Sequence, residues 1–462
     1  MGSTVKEKDS SQRSGNHWLD PEIHRQVWQL AWPMILSNLT VPLLGLVDTA
    51  VIGHLPNPLY LGAVAIGASL FSVLFWGFGF LRMGTTGLTA QAVGAENHQE
   101  VNLLLAQSLI IALLIGLLLI LFQRPLIELG LMLMEPSQEV MEQAWLYCNV
   151  RIFSAPAVLA NYALLGWFLG LQNSRVPLLL LITANLINIS LDLLLVVVLN
   201  MAVEGVALAT VCADYSALLL GLWLAVRHLR HNSHKLPLAP LLRWKNYSRL
   251  IRSNRYLLVR TLLLLLTFCF FTAQGARMGN EILAANAVLL NFLLLISHGL
   301  DGFAHATEAL CGKYYGAKEK LKFYSACQAA FLWSFFTALL FFIFFALGGQ
   351  LIIELLTDIP EVITTASEYL PWLTIMPLLG VWSYLLDGIF IGANRFRWMQ
   401  NCMLLSVAAV FVPSWYFSQP WGNHGLWFSL SFFLLARGLT AGLLFYYCDY
   451  RKARQPEGSG GT

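Results

Sequence analysis

The sequence predicts an all-α polytopic membrane protein: twelve transmembrane helices in two six-helix lobes. Three observations predict it. Of 462 residues, 57% are hydrophobic and only 11% charged, against roughly 25% charged in an ordinary soluble domain. Apolar runs of about 20 residues, each long enough to cross a bilayer, recur along the chain. The chain also repeats itself at a single fixed offset of 222 residues.

Apolar runs bounded by Gly, Pro and charge clusters place spans near 27–51, 61–86, 101–122, 140–169, 176–199 and 203–226, then 255–277, 283–307, 324–348, 363–392, 398–417 and 424–447. Residues 1–26 read as a polar tail without the short apolar core and cleavage site of a secretory signal. Residues 227–254 read as a basic linker between the lobes 27–226 and 255–447, and 448–462 as a second tail.

Loop charge sets the expected orientation. With both termini on one side, that side holds 22 Lys and Arg, whereas the opposite loops hold only Arg124 and Arg277. The positive-inside rule then puts both termini in the cytoplasm. The net charge of +3 points to no nucleic-acid partner. Seven cysteines without CxxC spacing point to neither a disulfide framework nor a metal cluster, and His228, His231 and His234 read as part of a solvated basic linker.

The offset of 222 aligns Gly53 with Gly275, Gly77 with Gly299, Thr85 with Thr307, Gly94-Ala95 with Gly316-Ala317, and the segment 166–170 (GWFLG) with 388–392 (GIFIG), all without a gap. Six spans per copy is an even number. Both copies therefore enter the membrane in the same direction, a parallel repeat suited to two lobes rocking about a central cleft.

A carboxylate inside a membrane helix is a default functional candidate, because burying it costs at least about 2.5 to 3.5 kcal/mol on insertion scales. Asp48 lies near the outer end of span 1, after Pro33 and Pro42; Asp192 lies on span 5, one turn beyond Asn188. Tyr147 on span 4 and Thr210 on span 6 fall at a similar depth. These five form the expected first-lobe site, and adjacent desolvated carboxylates there favour holding a proton near neutral pH. The second lobe has no acid on span 7. Its Asp301, Glu308 and Asp387, with Arg82 of the first lobe, read as an inner gate or as packing ion pairs.

The segments VPLLGLVDTAVIGHL, FLRMGTTGLTAQAVGA, LLGWFLGLQNSR, NLINISLDLLLV, LDGFAHATEA and YLLDGIFIGANR, in order across both lobes, closely resemble the multidrug and toxic compound extrusion (MATE) family in its DinF branch. The resemblance implies a V-shaped exporter of a bacterial inner membrane, expelling small amphiphilic or cationic compounds against H+ or Na+. It assigns the coupling acid to Asp48, its partners to Asn188 and Asp192, and a polar network to Tyr147 and Thr210. It also implies a bend of span 1 at Pro33 or Pro42, where a proline leaves a backbone carbonyl without its donor. The missing span 7 acid favours H+ over Na+. The expected partners are the bilayer and small-molecule substrates, with a monomeric chain and no resident cofactor or metal. The alternatives are a Na+-coupled exporter of the same family and a flippase for lipids or lipid-linked sugars, which a cation-lined cleft would favour. The absence of GxSxG and HExxH argues against an intramembrane enzyme.

Overall fold

In a computed structural model, which describes residues 20–53, 58–134, 137–231, 241, 243 and 247–447, the chain is a bundle of long helices, with no strand among the described residues. Within those bounds the side chains of 41–53, 58, 231 and 249 fall outside the description.

The helices are α1 (Pro21–Gly53), α2 (Leu59–Gly94), α3 (His98–Leu121), α4 (Gln138–Gly170), α5 (Arg175–Val198), α6 (Val203–His231), α7 (Ser248–Arg277), α8 (Asn280–Gly316), α9 (Lys320–Leu356), α10 (Pro360–Gly392), α11 (Phe396–Trp421) and α12 (Asn423–Phe445). Eleven of them, α2 to α12, are long and apolar enough to cross a membrane, and α1, 33 residues long, completes the twelve. Each expected span therefore has its helix. Several helices outrun their apolar cores. The α6 helix continues to His231 and α7 begins at Ser248, because Arg and Lys stems extend a helix past the hydrocarbon while their heads reach water. A short helix, Gln123–Met134, joins α3 to α4 and is half apolar surface.

Packing repeats with the sequence. In the first lobe α2 and α3 pack on α4, and α4 and α5 on α6; in the second, α8 and α9 pack on α10, and α10 and α11 on α12. Glycines set the closeness of these contacts. A Cβ on Gly166 would meet the Arg82 carbonyl oxygen at 2.4 Å, and one on Gly388, its repeat mate, would meet the Ala304 carbonyl oxygen at 2.6 Å. The chain's turns repeat too: Glu96 and Lys318, Gln172 and Asn394, and Asn200 and Gly422 all have φ between 55° and 64°. Each pair is separated by 222 residues, so the duplication extends to backbone conformation.

The lobes meet at one end, that of the basic loops, hereafter the basic end. Hydrogen bonds joining them run from the middle of the helices toward those loops: Gln91 to the Gly392 carbonyl (2.8 Å), Gln172 to the Ala309 carbonyl (2.7 Å), Tyr314 to Gln26 (2.6 Å), Trp333 to His24 (3.0 Å), Arg82 to Glu308 (3.0 Å) and, at mid-helix, Asn38 to the His298 carbonyl (3.1 Å). At the centre of the seam α2 and α8 touch backbone to backbone. A Cβ on Gly94 would lie 1.8 Å from the Lys313 carbonyl oxygen, and one on its mate Gly316 would lie 2.1 Å from the Gln91 carbonyl oxygen. Lys313 is itself the repeat mate of Gln91, so the two contacts are the same contact seen from either lobe.

Neither glycine tolerates a methyl group without parting the lobes. Gly94→Ala and Gly316→Ala should each cost about 1–3 kcal/mol through overpacking, whereas Gly348→Ala on α9, where a Cβ meets nothing within 4 Å, should stay within about 0.5 kcal/mol. Unfolding of the purified variants in one detergent checks both.

Candidate functional site

The first-lobe candidates lie on α4, α5 and α6, three helices that pack in sequence. Asn188 and Asp192 are both fully buried on α5, four residues apart and so on one helix face. Asn188 donates a hydrogen bond to the Thr210 hydroxyl on α6 (3.2 Å), and Thr210 donates in turn to the Val206 carbonyl (2.9 Å). Tyr147 on α4 is buried against α2, where Gly67 makes room for its ring: a Cβ there would stand 2.3 Å from the ring edge. Directly after Asp192 the α-helical pattern of α5 gives way to a π-helical stretch, Leu193–Val198. Such wide turns recur at functional sites.

The α1 helix packs on α5 in its own lobe and on α8 and α9 of the other. It runs without interruption from Pro21 to Gly53 through both Pro33 and Pro42. Pro33 is buried, while the side chains of Pro42 and Asp48 lie outside the described residues.

In the second lobe the buried charges pair. Asp387 on α10 is held between Arg260 of α7 and Arg437 of α12, the latter at 2.8 Å. Arg82 on α2 reaches across the seam to Glu308 on α8 at 3.0 Å, the two side chains 15% and 3% exposed. In the first lobe Arg151 pairs with Asp214 at 2.9 Å and lies over the rings of Phe71 and Phe75. Near the mid-depth of α8, Ser297 and the Tyr384 hydroxyl of α10 are 2.6 Å apart. His298 and His305 each keep a buried Nδ1 without a hydrogen-bond partner. Asp301 sits on α8 between them, half-buried. His228, expected in the solvated linker, lies instead on α6, its ring edge-on to Trp167 (5.5 Å).

A model of the MatE family matches residues 33–194 and 257–417, one stretch in each lobe. The chain belongs to this family. It is 47% identical over 417 residues to DNA damage-inducible protein F of Escherichia coli (strain K12), a match covering 90% of each chain. It is 24% identical over 442 residues to multidrug resistance protein NorM of Vibrio cholerae, covering 91% of this chain and 94% of that one. The fold superposes on an outward-facing multidrug resistance MATE family transporter of the MOP superfamily with a TM-score of 0.81 at 19% identity, covering 91% and 94% of the two chains.

This MatE-family transporter brings together residues that sequence reasoning left apart. Arg260 and Arg437, 177 positions from each other, meet on one carboxylate, a convergence with no local sequence signal. Gly67, which seats the Tyr147 ring, reads in sequence as one more small residue of an apolar run.

Breaking a buried ion pair leaves an uncompensated charge, a cost of about 3–5 kcal/mol. Arg82→Ala should therefore destabilise the closed seam by about that much, and adding Glu308→Ala should restore part of the loss. A double-mutant cycle of unfolding free energies checks it; strict additivity would show that the pair carries no coupling.

Proposed function

We propose that the protein is a secondary active multidrug exporter of a bacterial cytoplasmic membrane, with both termini cytoplasmic, that antiports cationic or amphiphilic organic compounds against H+ through Asp48 and Asp192. The reading rests on one observation above others: Asp192 and Asn188 are wholly buried side by side in the first lobe, while each of Arg82, Arg151, Arg260 and Arg437 is already engaged by another acid. The interior cations are thus committed elsewhere. The charge distribution of the loops makes the basic end cytoplasmic, so lobes that touch at that end leave the cleft facing outward. The family's multidrug members, by name, lend the substrate class.

In this reading an outward-facing protein takes up protons at Asp48 and Asp192, and neutralisation releases a cationic substrate. After the lobes rock, loss of those protons to the cytoplasm restores the negative charge that binds the next substrate. Proton and substrate compete for the same charge, which supplies the differential affinity that coupling requires. Asn188 and Thr210 keep the helix face that carries Asp192 polar without adding charge. A bend of α1 at Pro33 or Pro42 is the motion that would report protonation, since a proline already lacks one helix hydrogen bond.

The test is efflux of a fluorescent lipophilic cation from proteoliposomes under an imposed pH gradient without sodium. Wild type should transport; Asp48→Asn and Asp192→Asn should each remain folded and lose at least about tenfold in rate, a barrier change of about 1.4 kcal/mol. Efflux that requires sodium, or an Asp48→Asn variant that stays fully coupled, overturns the proton assignment.

A further inference from the structure

The duplication makes the lobe seam two-sided, and its two sides are not filled alike. On one side, the start of α1 lies across the end of α8. Leu30 and Ala31 are buried there, Trp28 meets Phe303 and Trp333 edge-on at 5.3 and 5.1 Å, and Gln26 and Gln172 each hydrogen-bond to α8. On the mate side, where the start of α7 faces the end of α2, the equivalents of Leu30 and Ala31 are Arg252 and Ser253. Leu250 and Leu257 of α7 are still buried at this side, but the two positions between them that closed the other flank are now polar. A cleft of about 440 Å³ remains, lined by Gln91 of the first lobe and by Ser248, Arg252, Tyr315, Asn394 and Arg395 of the second.

Asn394 exposes what the cleft lacks. Its mate Gln172 spans the other side of the seam to the Ala309 carbonyl, but Asn394 is one methylene shorter, and both ends of its amide are buried without a hydrogen-bond partner. A buried polar group left in this way is costly and calls for a partner. None of the residues lining the cleft is acidic. The carboxylate of Glu319, in the loop that follows Tyr315, is already paired with Lys322 at 3.0 Å. Arg395 is held over the Trp398 ring, its guanidinium 4.6 Å from the ring centre, which limits its freedom. Two guanidinium groups beside an amide without a partner form a donor set that matches a tetrahedral oxyanion.

We propose that the cleft between α2 and α7 at the basic end is a binding site for a phosphate group, held by Arg252 and Arg395 and completed by Asn394. The group is either free phosphate or the headgroup of an anionic lipid, whose chemistry at the site is the same. The arginines belong to the second lobe and the facing wall, Leu88 and Gln91, to the first, so a bound phosphate is enclosed only while the lobes touch at this end. It favours the state in which the lobes touch at this end and must leave before that end opens, so it sets how readily the protein turns over. This holds whichever ion drives transport, and it stands or falls independently of Asp48 and Asp192.

The experiment uses the full chain in nanodiscs of phosphatidylcholine, titrated with inorganic phosphate at constant ionic strength against chloride, and in parallel discs containing phosphatidylglycerol. The melting temperature and the concentration giving half its shift are read. Wild type should show a saturable rise. Arg252→Gln and Arg395→Gln should raise the half-saturating concentration at least about tenfold, while Arg252→Lys and Arg395→Lys retain part of the response. Asn394→Gln, long enough to supply its own partner across the seam, should melt higher without phosphate and respond less to it. Arg255→Gln, an exposed basic-end position outside the cleft whose arginine lies over Tyr256, should respond as wild type does. A rise with both probes assigns the site to the phosphate group itself; a rise with phosphatidylglycerol alone assigns it to a lipid headgroup. A rise no larger than chloride gives, or one that Arg255→Gln abolishes as fully as the cleft variants do, overturns the proposal.

Discussion

The contact on which the rest of the architecture depends is the backbone-to-backbone crossing of α2 and α8. Gly94 sits on the Lys313 carbonyl and Gly316 on the Gln91 carbonyl, with no side chain between. In a membrane, lipid tails are as apolar as leucine, so helices are held together by close packing and polar contacts, and small residues decide where backbones can approach. Here the small residues are at one end of both helices. The lobes are therefore sealed at the basic end and free to diverge beyond it. The same crossing brings Arg82 within 3.0 Å of Glu308, and it leaves the flanks of the seam to be closed by the starts of α1 and α7.

Two copies of one fold have been put to different uses, and the differences can be read position by position. The second-lobe mates of Asn188, Asp192 and Thr210 are Val410, Ser414 and Phe432, and the mate of Asp48 is Phe270. Phe270 packs edge-on against Phe411 and Trp415, with centroids 5.7 and 6.2 Å apart, so the second lobe is filled with rings where the first buries acid and amide. Its own acid, Asp387, is instead gripped by two arginines. A carboxylate that already balances two guanidinium groups has little charge to offer a cation. In the first lobe Asp192 lies one turn from an amide on its own helix, which is why the proposed proton exchange is placed in that half.

Much of this was legible in the sequence. Apolar run length gave the twelve helices, because a bilayer of fixed thickness demands it, and the offset of 222 gave the two lobes. Asn188, Asp192 and Thr210 were legible because a polar group in a hydrocarbon span is costly enough to stand out. The partners of the second-lobe acids were not. Arg260, Asp387 and Arg437 lie on three helices, and nothing local in the sequence says which faces turn toward one another. The π-helical stretch after Asp192 was equally hidden, since Leu193–Val198 is an unremarkable apolar run. Nor does sequence distinguish the two flanks of the seam. Leu30 against Arg252 is visible as a repeat mismatch, but only packing shows that one closes the seam and the other leaves a cleft.

The same asymmetry bears on how such a molecule moves. The first half of α1 is tied to the other lobe through Tyr314, Trp333 and the His298 carbonyl, while its second half continues past Pro42 toward Gly53. A helix anchored at one end and weakened by proline in the middle bends at the proline before it slides, because only there is a backbone hydrogen bond already missing. A change of charge near the far end of α1 therefore alters that end without first breaking the seam. Opening the basic end is a separate event. It requires parting Arg82 from Glu308 and lifting Gly94 off Lys313. In the proposed reading, binding and release at the first-lobe acids and opening at the seam are thus mechanically distinct, and α1, shared between lobes, is the element through which the one can bias the other.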